Sequence, residues 1–209
     1  TRTNDIQNYY KNILNCSKEA AKKEHFIKLL ERIYGSYKNI REILDEMGLG
    51  AERSIVNIVK EDRVKYGSAD TQYGQIIIEF ENDLRKTEAH AKEQLKEYLI
   101  GNWKSGEEYN FTLISSDCIT WKVYSPSYEQ LSDLKNITAE KIELFEIDSF
   151  VLDEENSEDF YFFIDRYLLR TERINATLES IQKGFGERSE IFINSLEKFK
   201  LVFSEYKDT

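Results

Sequence analysis

The sequence predicts an α/β (α+β) fold, a mixed sheet flanked by helices with a C-terminal helical extension. Two periodicities support this prediction. Short apolar runs such as Ile76-Ile77-Ile78 are typical of buried strands, and longer stretches such as residues 88–103 repeat apolar side chains at helical spacing. Because both kinds of segment alternate between residues 17 and 169, we expect one sheet with helices packed on it.

Helices are predicted before the first strands. Ser17 is the predicted N-cap of an amphipathic helix that ends at Gly35, and a second helix is predicted over residues 39–47. Strands and one further helix, which begins at about Glu88, are expected over residues 55–124.

The later segments are predicted in the same way. Residues 111–124 have the pattern of two strands joined by a turn near Ser116-Asp117, and LFEIDSFVL follows as another strand-like piece. An aromatic-rich helix is predicted over residues 159–169. From residue 170 the pattern is helical again, so we predict one domain over residues 1–169 and a helical extension or connector over residues 170–209.

Acidic residues stand where the predicted sheet should be apolar. Glu79 and Glu81 close the isoleucine run, and alternate strand residues share a face, so both carboxylates point the same way, about 7 Å apart. If Tyr73-Gly74 are the central residues of a tight hairpin, Asp70 lies opposite Ile77 and converges with them. A slip of one residue would send Asp70 to the other face.

Three converging carboxylates suit a hard divalent cation. Mg²⁺ and Mn²⁺ prefer carboxylate, carbonyl and water ligands, and such an ion promotes hydrolysis of phosphate esters. Asp70, Glu79 and Glu81 therefore indicate a metal site and phosphodiester hydrolysis. The alternative is that both glutamates lie on the solvated face of an edge strand, with Asp70 in a polar turn.

The order of these motifs resembles a known family. Asp70, then Glu79-Phe80-Glu81, then a helix with Gln94 and Tyr98, resemble the core of PD-(D/E)XK nucleases in the RecB-like branch that carries a Q-x-x-x-Y helix. Residues 52–70 and 114–124 resemble parts of the N-terminal nuclease region of bifunctional type IIG restriction-modification enzymes. The resemblance covers about residues 17–170 and implies a restriction-endonuclease-like fold and an Mg²⁺-dependent deoxyribonuclease.

The resemblance also implies residue roles. Asp70 and Glu79 match the metal-binding carboxylates for Mg²⁺ or Mn²⁺, with the Phe80 backbone carbonyl as an additional ligand. Gln94 and Tyr98 match the helix that shapes the active site and contacts the nucleic acid. On a predicted upstream helix, Glu52 matches an acidic residue found in many of these nucleases.

One position departs from the family, which usually has lysine where this chain has Glu81. That lysine positions the attacking water and offsets negative charge at the phosphate. Glu81 would then be a further metal ligand or the base that orients water, with a second ion or a displaced cation supplying the charge. Arg85, Lys86 and Lys92 are the predicted cations. The departure leaves a catalytically inactive domain, acting as a DNA-binding or protein-interaction module, as the alternative function.

The composition limits the expected affinity for DNA. The net charge is -10, and residues 105–165 carry 15 acidic but only 3 basic side chains. Strong unaided binding to DNA is therefore not predicted, because nucleic-acid affinity depends on basic surface. No signal peptide or membrane-spanning stretch is evident, and a cytoplasmic location is expected by default.

Cysteine and histidine add no predicted site. Cys16 and Cys118 are expected to be reduced thiols, since they are far apart and lack a histidine cluster. His25 and His90 are lone histidines in helical patterns, and we predict surface or partly buried side chains rather than ligands or bases.

The chain ends suggest a piece of a longer polypeptide. Residue 1 is Thr rather than Met, and a polar stretch follows the last apolar helix. In the family that the chain resembles, an adenine-specific methyltransferase domain and a target recognition domain follow the nuclease, so both are expected partners beyond residue 209. The methyltransferase motif Asn-Pro-Pro-Tyr is absent, because Pro126 is the only proline.

Overall fold

A computed structural model describes residues 1–36, 53–60, 63–69, 71–73, 76–106 and 110–168, together with positions 178, 182, 186, 192, 196 and 200. The chain divides into two compact units, Thr1–Thr171 and Glu172–Thr209. The elements below all belong to the first unit. The helix predicted over residues 39–47 lies outside the described residues.

The described residues of the first unit form four α-helices and two short 3-10 helices. The α-helices are α1 (Arg2–Leu14), α2 (Glu19–Tyr34), α3 (Leu84–Ser105) and α4 (Ser157–Leu168), and the 3-10 helices are Glu129–Asp133 and Ala139–Lys141. Within the described part of the chain, no helix is both long and apolar enough to cross a membrane.

Seven strands are described: β1 (Arg53–Lys60), β2 (Arg63–Ala69), β3 (Thr71–Tyr73), β4 (Ile76–Phe80), β5 (Thr112–Ser116), β6 (Thr120–Pro126) and β7 (Leu144–Val151). β1 and β2 form an antiparallel pair, and the others form a five-stranded sheet in the order β3-β4-β5-β6-β7. β4 and β5 are parallel, whereas the remaining neighbours are antiparallel. A parallel pair needs a crossover, and α3 provides it. The predicted mixed sheet with helices is confirmed.

Helices cover both faces of the five-stranded sheet. On one face, α1, α2 and α4 share a core with alternate residues of β4 and β6, and Trp121 lies at its centre. On the other face, α3 and the 3-10 segments bury a second core around Ile77 and Trp103. Since Ile76, Ile78 and Phe80 belong to the first core and Ile77 to the second, β4 is buried on both sides.

Local signals explain the ends of α3. Asp83 is the N-cap, and its carboxylate accepts a hydrogen bond from the backbone N–H of Arg85. At the other end Gly106 adopts a left-handed conformation with φ 72°, which glycine tolerates without steric cost. The helix therefore begins at Leu84, four residues earlier than predicted.

At the N-terminal side one predicted detail is wrong and one helix was not predicted. The N-cap of α2 is Lys18 rather than Ser17, and it forms no side-chain capping bond. No helix was predicted for residues 2–14, although Ile6, Tyr9 and Ile13 of α1 are buried at helical spacing. Polar residues separate these three, so the apolar stripe is too narrow to stand out in the sequence.

The hairpin register also differs from the prediction. Tyr73 pairs with Ile76 and Gln72 with Ile77, so the partner of Ile77 is Gln72 rather than Asp70. Tyr73 and Ile76 form the last described pair before the connection, which therefore lies one residue later in the chain than predicted.

Candidate functional site

Glu79 and Glu81 lie at the carboxyl end of β4, inside the protein. Glu79 is the fourth residue of the strand and Glu81 follows its last residue, and they are only 4% and 9% exposed. β4 has neighbours on both sides in the sheet, so the alternative of a solvated edge strand does not hold for these two residues. Alternation from Ile77 places both carboxylates on the face covered by α3.

The Phe80 carbonyl points to the β3 side of the strand. The backbone N–H of Glu81 donates to the Ser116 carbonyl of β5 at 2.8 Å. In a trans peptide the carbonyl and the following N–H point in opposite directions, so the Phe80 oxygen is directed away from β5. The backbone oxygen of Phe80 and the carboxylates of Glu79 and Glu81 therefore lie at the same end of β4.

Asp70 and Glu52 lie outside the described residues. The neighbouring residue Thr71 pairs with Ile78, the position just before Glu79. Among the residues that the structure describes, no group of three or more His, Cys, Asp or Glu side chains is placed to hold a metal ion. Glu79 and Glu81 are thus the described part of the predicted ligand set.

Gln94 and Tyr98 lie together on α3. The Gln94 amide nitrogen donates to the Tyr98 hydroxyl at 3.3 Å, and Tyr98 is buried in the same core as Ile77. Residues four apart lie one above the other on a helix, so this pair forms a stripe. Leu95 and Leu99, the neighbouring buried positions, pack the helix onto the sheet.

His90 extends this stripe by one turn and contacts Glu81. Its Nδ1 lies 3.1 Å from Oε1 of Glu81, while 68% of the imidazole side chain is exposed. The predicted surface location of His90 therefore holds, but sequence reasoning missed its contact with the site. The four-residue spacing of His90, Gln94 and Tyr98 is the sequence pattern from which this contact with the site could have been predicted.

The predicted cations near the site are engaged by other acids. Arg85 and Lys86 both pair with Asp83, at 2.9 and 3.1 Å. The Arg85 hydrogen bond, followed by that of Lys86, lowers the pKa of Asp83 to about 2. Lys92 pairs with Glu88 of the preceding turn at 2.7 Å. Among the described residues, His90 forms the ion-pair contact with Glu81, and Arg85, Lys86 and Lys92 form theirs with Asp83 and Glu88.

A polar network that the sequence did not reveal lies beside the carboxylates. Lys122 of β6 pairs with Glu88 of α3 at 2.9 Å and with Glu146 of β7 at 3.3 Å. The hydrogen bond to Glu88 raises the pKa of Lys122, whereas the hydrogen bond from Lys92 lowers the pKa of Glu88. Ser115 is paired in register with Glu79 on one side and Lys122 on the other, so the network adjoins the site.

Basic residues of α2 and α3 also flank the end of β4. Lys22 of α2 donates to the backbone carbonyl of Asn82 at 2.6 Å, and the Lys23 ammonium lies 5.6 Å from the centre of the Phe80 ring. Arg85 and Lys86 project from the first turn of α3 and are largely exposed. Two helices thus bring positive charge to the edge of the strand end.

Asp117 joins the β5-β6 hairpin to the start of α3. One carboxylate oxygen accepts from the backbone N–H of Leu84 at 3.0 Å, and the other accepts from Ile119 and Thr120 at 3.1 and 2.7 Å. Cys118, which lies between Asp117 and Ile119 in the turn, has a positive φ of 72°. The turn predicted near Ser116-Asp117 is confirmed, and its aspartate also positions the helix that covers Glu79.

We expect Asp117→Ala to lower the free energy of unfolding by about 2–4 kcal/mol, because it removes three hydrogen bonds to a charged acceptor and leaves the buried Leu84 N–H without its partner. Urea denaturation measures this change. Asp133→Ala is the matched control, since that exposed carboxylate accepts its side-chain hydrogen bonds, within the described part of the chain, from the nearby Asn136 amide. Equal losses in the two variants would contradict a structural role for Asp117.

Both cysteines are free thiols, as predicted. Cys118 is buried, and burial raises the pKa of its thiol to about 12. A thiol with so high a pKa is protonated at neutral pH and is a poor nucleophile. Cysteine chemistry at Cys118 is therefore not a feature of this site.

The described arrangement combines two buried carboxylates, a histidine in contact with one of them, a glutamine-tyrosine pair and a rim of basic side chains. Comparison of the chain with known proteins finds no matching family model, no matching curated protein and no matching solved structure.

Proposed function

We propose that this chain is a divalent-metal-dependent DNA endonuclease domain with a restriction-endonuclease-like fold, the cleavage part of a restriction-modification enzyme. The observation that carries the proposal is the pair of buried carboxylates, Glu79 and Glu81, on one face of β4, which has a neighbouring strand on each side. Burying two like charges is costly unless a cation compensates them. Their oxygen atoms are of the kind that Mg²⁺ and Mn²⁺ prefer.

The ligands would be Asp70, Glu79, Glu81 and the Phe80 carbonyl, with Glu52 as a further candidate. The proposal requires Asp70 to reach the face of Glu79. The described register supports this requirement, since Thr71 pairs with Ile78 and the residue of β4 that follows Ile78 is Glu79. When bound, the metal would lower the pKa of a water molecule and stabilise charge on the phosphate.

The remaining residues would bind and position DNA. The exposed side chains of Arg85 and Lys86, with Lys23 of α2, would contact the phosphate backbone beside the strand end. Gln94 and Tyr98 would shape the site from the helix above it. Because acidic residues dominate residues 105–165, we propose that sequence recognition and most of the DNA affinity come from other domains.

One observation favours a second candidate function, a catalytically inactive nuclease-fold domain that acts as a DNA-binding or protein-interaction module. Glu81 stands where the resembling family usually has lysine. Arg85, Lys86 and Lys92, which could supply the missing positive charge, pair with Asp83 and Glu88 rather than with Glu81. In that case metal binding and cleavage would both be absent while the fold is kept.

The proposal extends to partners and location. Its partners would be an adenine-specific methyltransferase domain and a target recognition domain of the same polypeptide. The substrate would be cytoplasmic DNA. The full length of the gene tests this part directly. An open reading frame without a methyltransferase domain would contradict it.

Crystals soaked in Mn²⁺ test the metal site. We expect anomalous density bound by Asp70 and Glu79, because both carboxylates would face the same point of the strand end. Crystals of Glu88→Gln are the matched control, since Glu88 lies on the same side of the sheet but pairs with Lys92 and Lys122. Diverging carboxylates without bound metal would contradict the proposal.

A further inference from the structure

Glu81 is held at two points by the surrounding structure. Its backbone N–H is bonded to Ser116 at 2.8 Å, and its carboxylate Oε1 lies 3.1 Å from Nδ1 of His90. The carboxylate is largely buried, whereas the imidazole is mostly exposed. His90 thus contacts this carboxylate from the solvent side, while the strand fixes its backbone.

The chemistry of the pair defines the hydrogen bond. A carboxylate accepts hydrogen bonds, so this contact is a hydrogen bond in the tautomer of His90 that carries its proton on Nδ1. One oxygen of Glu81 is engaged in this way. A carboxylate has two oxygens with about four lone-pair sites in total, so the group remains able to bind a cation as well.

The position of His90 on α3 supports a role in the site. His90, Gln94 and Tyr98 are spaced by four residues and form one stripe of the helix. The Gln94 amide nitrogen donates a hydrogen bond to the Tyr98 hydroxyl at 3.3 Å. The N-terminal end of this helix is in turn fixed by Asp117 through Leu84. His90 is therefore presented to Glu81 from a helix whose first turn is tied to the β5-β6 hairpin.

We propose that His90 is a positioning residue, which orients the Glu81 carboxylate for a divalent cation. This inference rests on the proposed function, and it gives a role to the residue that contacts Glu81, which stands where the resembling family has lysine. Residues that hydrogen-bond metal ligands orient them, and losing such a partner typically weakens metal binding by about 10–100-fold. Arg85, Lys86 and Lys92 are engaged elsewhere and do not offer this contact.

Isothermal titration of the 209-residue chain with Mn²⁺ tests the proposal. We expect His90→Ala to weaken Mn²⁺ binding about 10-fold or more. His90→Asn should bind within about 3-fold of the unsubstituted protein, because the asparagine amide nitrogen is as many bonds from the backbone as Nδ1. In His90→Gln the amide nitrogen corresponds to Nε2 instead, so this variant should behave like His90→Ala.

Two controls separate positioning from general effects. His25→Ala removes the other histidine, which lies on α2, and should leave Mn²⁺ affinity unchanged. In a Glu81→Gln background, His90→Ala should have no additional effect, since the residue acts through Glu81. Thermal melts of every variant establish that the protein is folded.

The outcomes distinguish this inference from the function on which it rests. If the unsubstituted protein binds Mn²⁺ and His90→Ala binds it equally well, the positioning role is overturned while the metal site stands. If His90→Asn is as weak as His90→Ala, the hydrogen bond from Nδ1 is not what matters, and the proposal is likewise overturned. If the unsubstituted protein binds no Mn²⁺, the metal site itself is overturned, and the role of His90 with it.

Discussion

Glu79→Gln is expected to reduce Mg²⁺-dependent cleavage of plasmid DNA by at least about 10²-fold, provided that the chain is the proposed nuclease. The amide is the same size as the carboxylate but lacks the charge that binds the metal. A bound metal contributes several kcal/mol of transition-state stabilisation, and each 1.36 kcal/mol corresponds to about a tenfold change in rate. Conversion of supercoiled DNA to nicked and linear forms measures the loss.

The same variant should remain folded. Glu79 is 4% exposed, and burying a carboxylate carries a desolvation cost that the neutral amide of the same shape largely avoids. We therefore expect no decrease in the midpoint of thermal unfolding without metal. Asp70→Ala should lose cleavage in parallel, and Glu88→Gln, on the same side of the sheet, should keep it. Full cleavage by Glu79→Gln would remove Glu79 from the mechanism.

Trp121→Ala is expected to lower the free energy of unfolding by about 3–5 kcal/mol, the largest loss of stability among the variants considered. The indole is fully buried and lies between the sheet and the helices of one face. Its ring centre is 4.7 Å from that of Phe26 and 6.2 Å from that of Phe80. Removing it leaves a cavity that this close-packed cluster cannot fill.

Chemical denaturation monitored by far-UV circular dichroism measures this change. Phe145→Ala is the control, because Phe145 is an aromatic residue on the edge strand β7 and is 53% exposed. Its loss should cost less than about 1 kcal/mol. A comparable loss in both variants would show that Trp121 is not central to the core. The effect also bears on function, since Phe80 lies between the two glutamates of the site.

Much of the central fold was predictable from local patterns. The isoleucine run of β4, the β5-β6 hairpin, β7 and α4 all lie where periodicity placed them. Buried strands and amphipathic helices leave a strong local pattern, because each buries a regular set of side chains. Helix α1 was missed, since its buried residues Ile6, Tyr9 and Ile13 are separated by polar ones.

The candidate site was predictable only in part. Glu79, Glu81, Gln94 and Tyr98 were identified from the sequence, and the structure places all four on the same side of the sheet. Asp70 and Glu52 lie outside the described residues, so their place in the site stays a prediction. The hairpin connection lies one residue later in the chain than predicted, which shifts the strand pairing by two residues. Because an even shift preserves the face, the pairing of Thr71 with Ile78 keeps the alternation on which the argument for Asp70 depends.

The sequence by itself determined the elements of the sheet, the acidic strand end and the helix that follows it, because these depend on neighbours within a few residues. Only the tertiary structure decided which side chains meet. It paired Arg85 and Lys86 with Asp83, placed Lys122 between Glu88 and Glu146, and brought His90 to Glu81. Such contacts depend on how α3 is docked on the sheet, which is set by distant core residues rather than by spacing along the chain.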